Sequence, residues 1–399
     1  MIRNRHPKRD VVRSHRQFLW TSTILCGLVV ATPNARAQES SSPWDTIAPY
    51  FKVPERFAHE PGPYRSPLLR EDGTRVSSPA EWNERRTQLR AMWDRLLGEW
   101  PPWITDPEVE VLSTERRENF SQLKVRFRWT PHEWTTGYLL IPDGDAPRPA
   151  VVTVFYDPET AVGLKGENRD FAYQLARRGF VALSIGTTEA TAARTYSLYY
   201  PSIDAASVQP LSMLGYAAAN AWYVLASRPE VDSDRIGIVG HSFGGKWAMF
   251  AGALFDRFAA VAVSDPGIMF DTHPSVNYWE PWYLGWHPRP WRPRGIVTKE
   301  NPARGLYPEL LAEGRDLHEL HALIAPRPFL VSGGEVDPPS RWLALKHLVE
   351  INELLGVENQ VGMTNRPDHS PNPDSNAVIY AFFEHFLGDP RDGSSAKSE

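Results

Sequence analysis

One cysteine, Cys26, occurs in 399 residues, and it lies in an N-terminal apolar run. A single thiol allows no internal disulfide and no zinc site built from cysteines. Leu25 precedes it, where a lipid-attachment signal needs a small residue. Positive charge is not in excess either: 43 Lys and Arg stand against 48 Asp and Glu. A nucleic-acid partner would ask for a basic footprint. No apolar run is long enough for a comfortable membrane span, the best being Phe18 to Ala31. Internal repeats are absent too, which argues against a solenoid.

What the N-terminus does hold is an address. Arg3, Arg5, Lys8, Arg9, Arg13 and Arg16 form a basic region ahead of the apolar run, and Ala35-Arg36-Ala37 is an A-x-A cleavage site. This is a signal-peptide pattern over residues 1–37, and an uncleaved anchor is the alternative set aside on length. Ser14-His15-Arg16-Gln17-Phe18-Leu19 resembles a twin-arginine signal with His replacing one Arg, so the export route stays open. The expected mature protein is periplasmic or secreted, without cysteine, and without a stable membrane anchor. It keeps 36 Lys and Arg against 47 Asp and Glu, a formal charge of −11. The whole chain carries 15 Trp and 36 Pro. Flat aromatic faces on stiff loops suit a carbohydrate-facing surface, although tryptophan is more often core.

Residues 38–105 read as an N-terminal extension. It contains one amphipathic helix, which Ser78-Pro79-Ala80-Glu81 opens as a capping box with proline at the first helical position. Trp82, Leu89, Met92, Trp93, Leu96 and Leu97 then recur at helical spacing up to Gly98. From 106 to 388 the pattern is that of one domain. Leu123, Val125, Phe127 and Trp129 alternate with Lys124, Arg126 and Arg128, a half-exposed antiparallel strand, and Gly137–Pro142 is the next. Buried strands follow at Ala150–Phe155, Val181–Ile185, Arg235–Val239, Phe258–Val263, Phe329–Ser332 and Gln360–Met363. Helical stretches separate them at Arg169–Arg178, Leu211–Ser227, Gly245–Leu254, Arg341–Leu355 and Asn376–Leu387. That alternation predicts an α/β fold with a mostly parallel central sheet and helices on both faces. Residues 389–399 read as a disordered polar tail.

The chain is organised around Gly240-His241-Ser242-Phe243-Gly244. A β-branched run precedes it and a helical run follows, so the G-x-S-x-G lies on a strand-turn-helix elbow. Such a turn forces the serine into a strained conformation, and only small residues fit on either side. Gly240 to Lys246 also fits the front of a phosphate-binding loop, but that motif continues with Ser or Thr, and here Trp247 follows.

A serine nucleophile needs a base, and the base needs a carboxylate to hold its tautomer. The order in this fold is Ser, acid, His. Strand Phe329–Ser332 runs into Gly333-Gly334-Glu335-Val336-Asp337, which makes Asp337 the first choice of acid. Glu335 comes next, and Asp265, after the preceding strand, third. The base is His369, on the loop after the last strand. His241 reads as structural, because neighbours on an elbow point apart. Oxyanion donors are the Phe243 N–H at the helix start and a group at Tyr156, either its amide or hydroxyl or the Asp157 amide. Pro158 has no N–H to offer. His318-Glu319-Leu320-His321 invites a metal, but its histidines are three apart rather than four and no third ligand is evident, so neither metal nor cofactor is expected.

After the sixth strand so read, a long insertion runs from Asp265 to about Leu323. It holds Trp279, Trp282, Trp286 and Trp291 among Pro281, Pro288, Pro290 and Pro293. It begins on the rim where ligands bind in such sheets, so Trp279, Trp282 and Trp286 are expected to line a substrate wall. Arg289, Arg292 and Arg294 would bring positive charge that favours an acidic glycan. The plainer alternative is that these tryptophans pack the insertion onto the domain.

Residues 106 to 388 resemble the α/β-hydrolase superfamily. Within it, Gly240-His241-Ser242-Phe243-Gly244-Gly245-Lys246 and Asp316-Leu317-His318-Glu319-Leu320-His321-Ala322-Leu323-Ile324-Ala325-Pro326-Arg327-Pro328 are similar to segments of bacterial glucuronoyl esterases and related carbohydrate esterases. The resemblance implies a serine esterase acting on acetyl or glucuronoyl esters of plant or algal polysaccharides, with Lys246 touching sugar hydroxyls. An arginine that assists the oxyanion follows the serine in that family; here the residue is Phe243. Acetyl xylan esterases and dienelactone hydrolases share enough of the pattern to stay open. So do a prolyl-type peptidase, which lacks room here for its gating propeller, and a non-catalytic glycan binder.

Overall fold

A computed structural model describes residues 42–60, 62–187, 198–270, 283–293 and 297–388. The signal pattern and the polar tail lie outside the described residues. Among those described, nine strands form one sheet: β1 Val109–Arg116, β2 Phe120–Arg128, β3 Trp134–Pro142, β4 Arg148–Phe155, β5 Val181–Gly186, β6 Val231–His241, β7 Ala260–Ser264, β8 Phe329–Gly333 and β9 Val361–Asn365. Their order is β1-β2-β3-β5-β4-β6-β7-β8-β9. The first three pair antiparallel, β3 meets β5 antiparallel, and every pair from β5 to β9 is parallel.

Alternation along the parallel strands sorts the core into two layers. Val151, Val239, Ala262 and Leu330 face the helices Phe171–Arg177 and Pro373–Leu387. Val152, Ile238, Val263 and Val331 face the helices Pro210–Ala226, Phe243–Leu254 and Trp342–Leu354. Trp82, Leu89, Trp93 and Leu97 of helix Pro79–Leu97 join this second layer. That helix starts on Ser78, whose hydroxyl accepts from the Glu81 N–H, but the Glu81 carboxylate caps the Ser77 N–H instead of closing the box.

β1 escapes sequence reading. Seven of its eight residues are exposed, so it shows no alternation, and only pairing with β2 makes it a strand. A bulge between Val111 and Ser113 breaks its register and blunts it as a sheet edge. Counting β1 moves the long insertion to the position after the seventh strand rather than the sixth. The insertion carries helices of its own, Leu306–Ala312 and His318–His321.

Candidate active site

β6 ends at His241, beside the end of β7 at Ser264. The next residue, Ser242, turns the chain with φ 56° and ψ −116°. A side chain other than glycine rarely holds this conformation, so the turn stores strain. The flanking glycines make it possible. A Cβ on Gly240 would collide with the Gly244 backbone, and one on Gly244 with the Val154 carbonyl on β4. The Ser242 N–H donates to the Ser264 carbonyl at 2.8 Å, and helix Phe243–Leu254 leads away. The hydroxyl is thereby presented at the carboxyl end of the sheet, beside a helix N-terminus.

The loop after β9 brings His369 to it: His369 Nε2 lies 2.9 Å from Ser242 Oγ. His369 Nδ1 lies 2.6 Å from Asp265 Oδ2. Asp265 directly follows β7, is fully buried, and also has positive φ, at 47°. Its Oδ1 accepts from the Asp337 N–H at 2.8 Å and its Oδ2 from the Val336 N–H at 3.2 Å. With Nδ1–H donated to the carboxylate, Nε2 is left bare to accept the serine proton.

The acid at the histidine is therefore Asp265, where the sequence reading placed Asp337. Asp337 is equally buried but turned toward the backbone of the next turn. Its carboxylate accepts from the Gly267 N–H at 2.7 Å and the Ile268 N–H at 2.6 Å. Burial raises its pKa above the usual carboxylate range, against the pull of Arg341 and with a push from Asp265. Glu335 is exposed on the same turn. The misassignment has a local cause: both loops end parallel neighbours β7 and β8, and sequence order admits either.

His241 is structural, with Nδ1 3.0 Å from the Ser264 carbonyl. Its ring centroid stands 4.8 Å from that of His369. Burial, then the neighbouring His369, Arg169 and Arg366, push its pKa down to about 2. A second imidazolium therefore does not compete beside the base.

Phe243 opens the elbow helix, and the Tyr156 ring stacks on its ring at 4.8 Å. Tyr156 follows β4 directly, and its carbonyl is taken by the Thr187 N–H. Asp157 caps the short helix Pro158–Ala161 through the Thr160 N–H. The Phe243 ring also stacks on Tyr283 at 5.9 Å. Lys246, one turn along the elbow helix, donates to the Pro266 carbonyl. Burial lowers its pKa to about 8, opposed by Asp337 and Asp265.

Of the expected wall, Trp279 and Trp282 lie outside the described residues, as does Arg294. Trp286 is half-buried and faces inward: its indole N–H donates to the Ile203 carbonyl and its backbone N–H to Gln209. Trp291 is 39% exposed, with the Arg289 guanidinium 3.9 Å from its ring centre. Of the three arginines expected to form a cationic surface, the two among the described residues are engaged. Arg289 pairs with Asp204 at 2.5 Å, and the buried Arg292 donates to the carbonyls of Pro293, Asn301 and Pro302. The His318-Glu319-Leu320-His321 segment is also engaged otherwise. His318 Nε2 meets the Arg65 carbonyl, Glu319 pairs with Arg315, and His321 Nε2 meets Met249 Sδ.

Sequence reasoning missed Arg366. It sits three residues before His369 and is 5% exposed. An arginine in a polar loop reads as solvated, and no local signal marks this one as buried.

A family model described as the Dienelactone hydrolase family matches residues 135–275, a span that includes Ser242 and Asp265. The sheet order, the elbow and this match agree. The chain has the α/β-hydrolase fold. The 4-O-methyl-glucuronoyl methylesterase 1 of Wolfiporia cocos (strain MD-104) is 26% identical over 371 residues, 82% of each chain. The 4-O-methyl-glucuronoyl methylesterase of Phanerochaete carnosa (strain HHB-10118-sp) is also 26% identical, over 93% of this chain and 91% of that one. Among solved structures, a glucuronoyl esterase from Solibacter usitatus superposes with a TM-score of 0.63 at 16% identity, over 82% of this α/β-hydrolase chain and 98% of its own.

Proposed function

We propose that the protein is an exported serine esterase that removes ester substituents from plant or algal polysaccharides, glucuronoyl esters first. The observation that carries this is the continuous chain Ser242 Oγ, His369 Nε2, His369 Nδ1, Asp265 Oδ2, with links of 2.9 and 2.6 Å. Ser242 attacks the ester carbonyl while His369 takes its proton. Asp265 holds the imidazole and stabilises its cation. The developing oxyanion is received by the Phe243 N–H and by the loop at Tyr156. His369 then protonates the departing alkoxide, and the acyl-serine is released by water activated at the same nitrogen. Lys246 and the insertion serve the sugar. The export part rests on the residue 1–37 pattern.

Glucuronoyl esters come first because the two curated relatives are named 4-O-methyl-glucuronoyl methylesterases. One observation favours acetyl esters as a second reading. Phe243, packed between Tyr156 and Tyr283, offers no cation where the resembled family places an arginine. Initial rates on a methyl glucuronate ester, acetylated xylan, nitrophenyl acetate and a proline peptide anilide test the proposal. Turnover of the first, with little on the anilide, supports it. Turnover of acetylated xylan alone selects the second reading. Cleavage of the anilide alone makes the chain a peptidase. No turnover, together with no fluorophosphonate labelling of Ser242, makes it a binder.

A further inference from the structure

The five N–H groups of the Arg366 guanidinium reach six oxygens, all uncharged, with one Nη1 hydrogen shared between two of them. Nε donates to the Ser370 carbonyl at 2.8 Å. Nη1 donates to the Ser332 carbonyl at 2.9 Å, the Ser332 hydroxyl at 3.1 Å and the Gly333 carbonyl at 3.2 Å. Nη2 donates to the carbonyl of His369 itself at 2.7 Å and to the Ser264 hydroxyl at 3.2 Å. One planar group thus joins three places: the end of β7, the end of β8, and the loop that carries the base.

We infer that Arg366 is a positioning residue, which sets the His369 ring in line between Ser242 and Asp265 by holding its backbone against the ends of β7 and β8. The inference deepens the esterase reading and rests on it for its role in turnover.

Three facts support it. First, the loop is exposed: Pro367, Asp368 and Ser370 face solvent, the His369 side chain is itself 35% exposed, and besides Arg366 the Ser370 hydroxyl accepts from Arg169 at 3.0 Å. A base on such a loop needs fixing from below. Second, Ser264 is the residue before Asp265, and its carbonyl accepts the Ser242 N–H. The guanidinium therefore fixes the base relative to the strand end that also places the nucleophile and the acid. Third, burying this cation costs desolvation that the nearby Asp265, Asp337 and Asp368 carboxylates offset only in part, and that a loop plug of apolar residues would avoid. The rigid fork of five N–H donors returns geometry, since its planar set of bonds to three segments restricts where the loop can lie. Misplacing a reacting group by an ångström lowers rate by about 10²-fold.

The test compares the full chain with Arg366→Ala and Arg366→Lys. For each variant, thermal unfolding, kcat and KM on a responsive ester, and the rate of Ser242 labelling by a fluorophosphonate are measured. Labelling needs only the serine and its base, so it reads the inference even if no ester is turned over. Wild-type labelling without ester turnover would count against the esterase proposal and still let the inference be read, whereas a wild type that does not label would overturn the inference as well. The expected result for folded Arg366→Ala is a fall of about 10²-fold in kcat and in labelling rate. KM should stay within about twofold, and added methylguanidine should restore part of the rate. Arg366→Lys, which keeps charge and loses the fork, should fall between. If Arg366→Ala does not fold, Arg366→Lys decides alone, with a loss of about tenfold or more expected. Wild-type labelling by a folded variant would overturn the inference, and so would a rise in KM with kcat unchanged.

Discussion

Asp265 and Asp337 clasp each other's turns. The carboxylate of Asp265 accepts from the backbone N–H groups of Val336 and Asp337. The carboxylate of Asp337 accepts from those of Gly267 and Ile268, just past Asp265. Two buried acids on adjacent strand ends thus stiffen each other's loops, and only one of them reaches the histidine.

The two should separate by substitution. Asp265→Asn should lower kcat by about 10⁴-fold with little change in KM, because the imidazole loses its orienting acceptor. Asp337→Asn keeps one acceptor oxygen for the turn, and should lower the melting temperature with a much smaller loss of rate. Parallel kinetics and thermal unfolding check this. An Asp337→Asn loss as large as that of Asp265→Asn would return the acid role to Asp337.

Lys246 gives a pH prediction. Its pKa is lowered to about 8 by burial, so it is a cation below that pH and neutral above it. If it binds sugar oxygens as a cation, KM on a carbohydrate ester should rise as pH passes about 8. Lys246→Met should show a high KM at every pH, with no such step. A wild-type KM flat from pH 7 to 9 would remove the charge from binding.

Stability should be acid-sensitive. Burial lowers the pKa of His318 to about 4, of His321 to about 3 and of His347 to about 4, all below the ordinary 6.5. Between these values and 6.5 the unfolded chain binds more protons than the folded one, so stability rises with pH there. It is fully present above about 6.5 and drains away as pH falls through the folded values. Melting temperature measured from pH 4 to 8 should fall on the acid side, and His347→Leu should reduce the slope. An acid slope left unchanged by that substitution would free His347 of the effect.

Trp286 should behave as packing. Its indole N–H is committed to Ile203, so Trp286→Ala should lower the melting temperature and weaken turnover of large and small esters alike. A rise in KM confined to the polymer, with unchanged melting, would instead place it in the wall.

Elements with a strong period or a strict turn chemistry were legible in the sequence. The parallel strands are continuous apolar runs, and Gly240 and Gly244 mark an elbow that only glycine allows. Ser242 and His369 follow from that elbow and from the last loop. Three things were not legible. β1 is exposed and has no period. The choice between Asp265 and Asp337 depends on which side chain turns toward His369, and no local pattern carries that. Arg366 is buried by tertiary contacts made more than thirty residues away, at Ser332 and Ser264.

The central claim is that Ser242 and His369 work as one unit on an ester. Its most direct measurement is kcat for Ser242→Ala, His369→Ala and the double variant on a methyl glucuronate ester, or on whichever ester the wild type turns over fastest. The account predicts a loss of about 10⁴-fold or more for each single variant, with the double variant little worse than either. A Ser242→Ala enzyme that keeps near-full activity, or losses that multiply in the double variant, would contradict it.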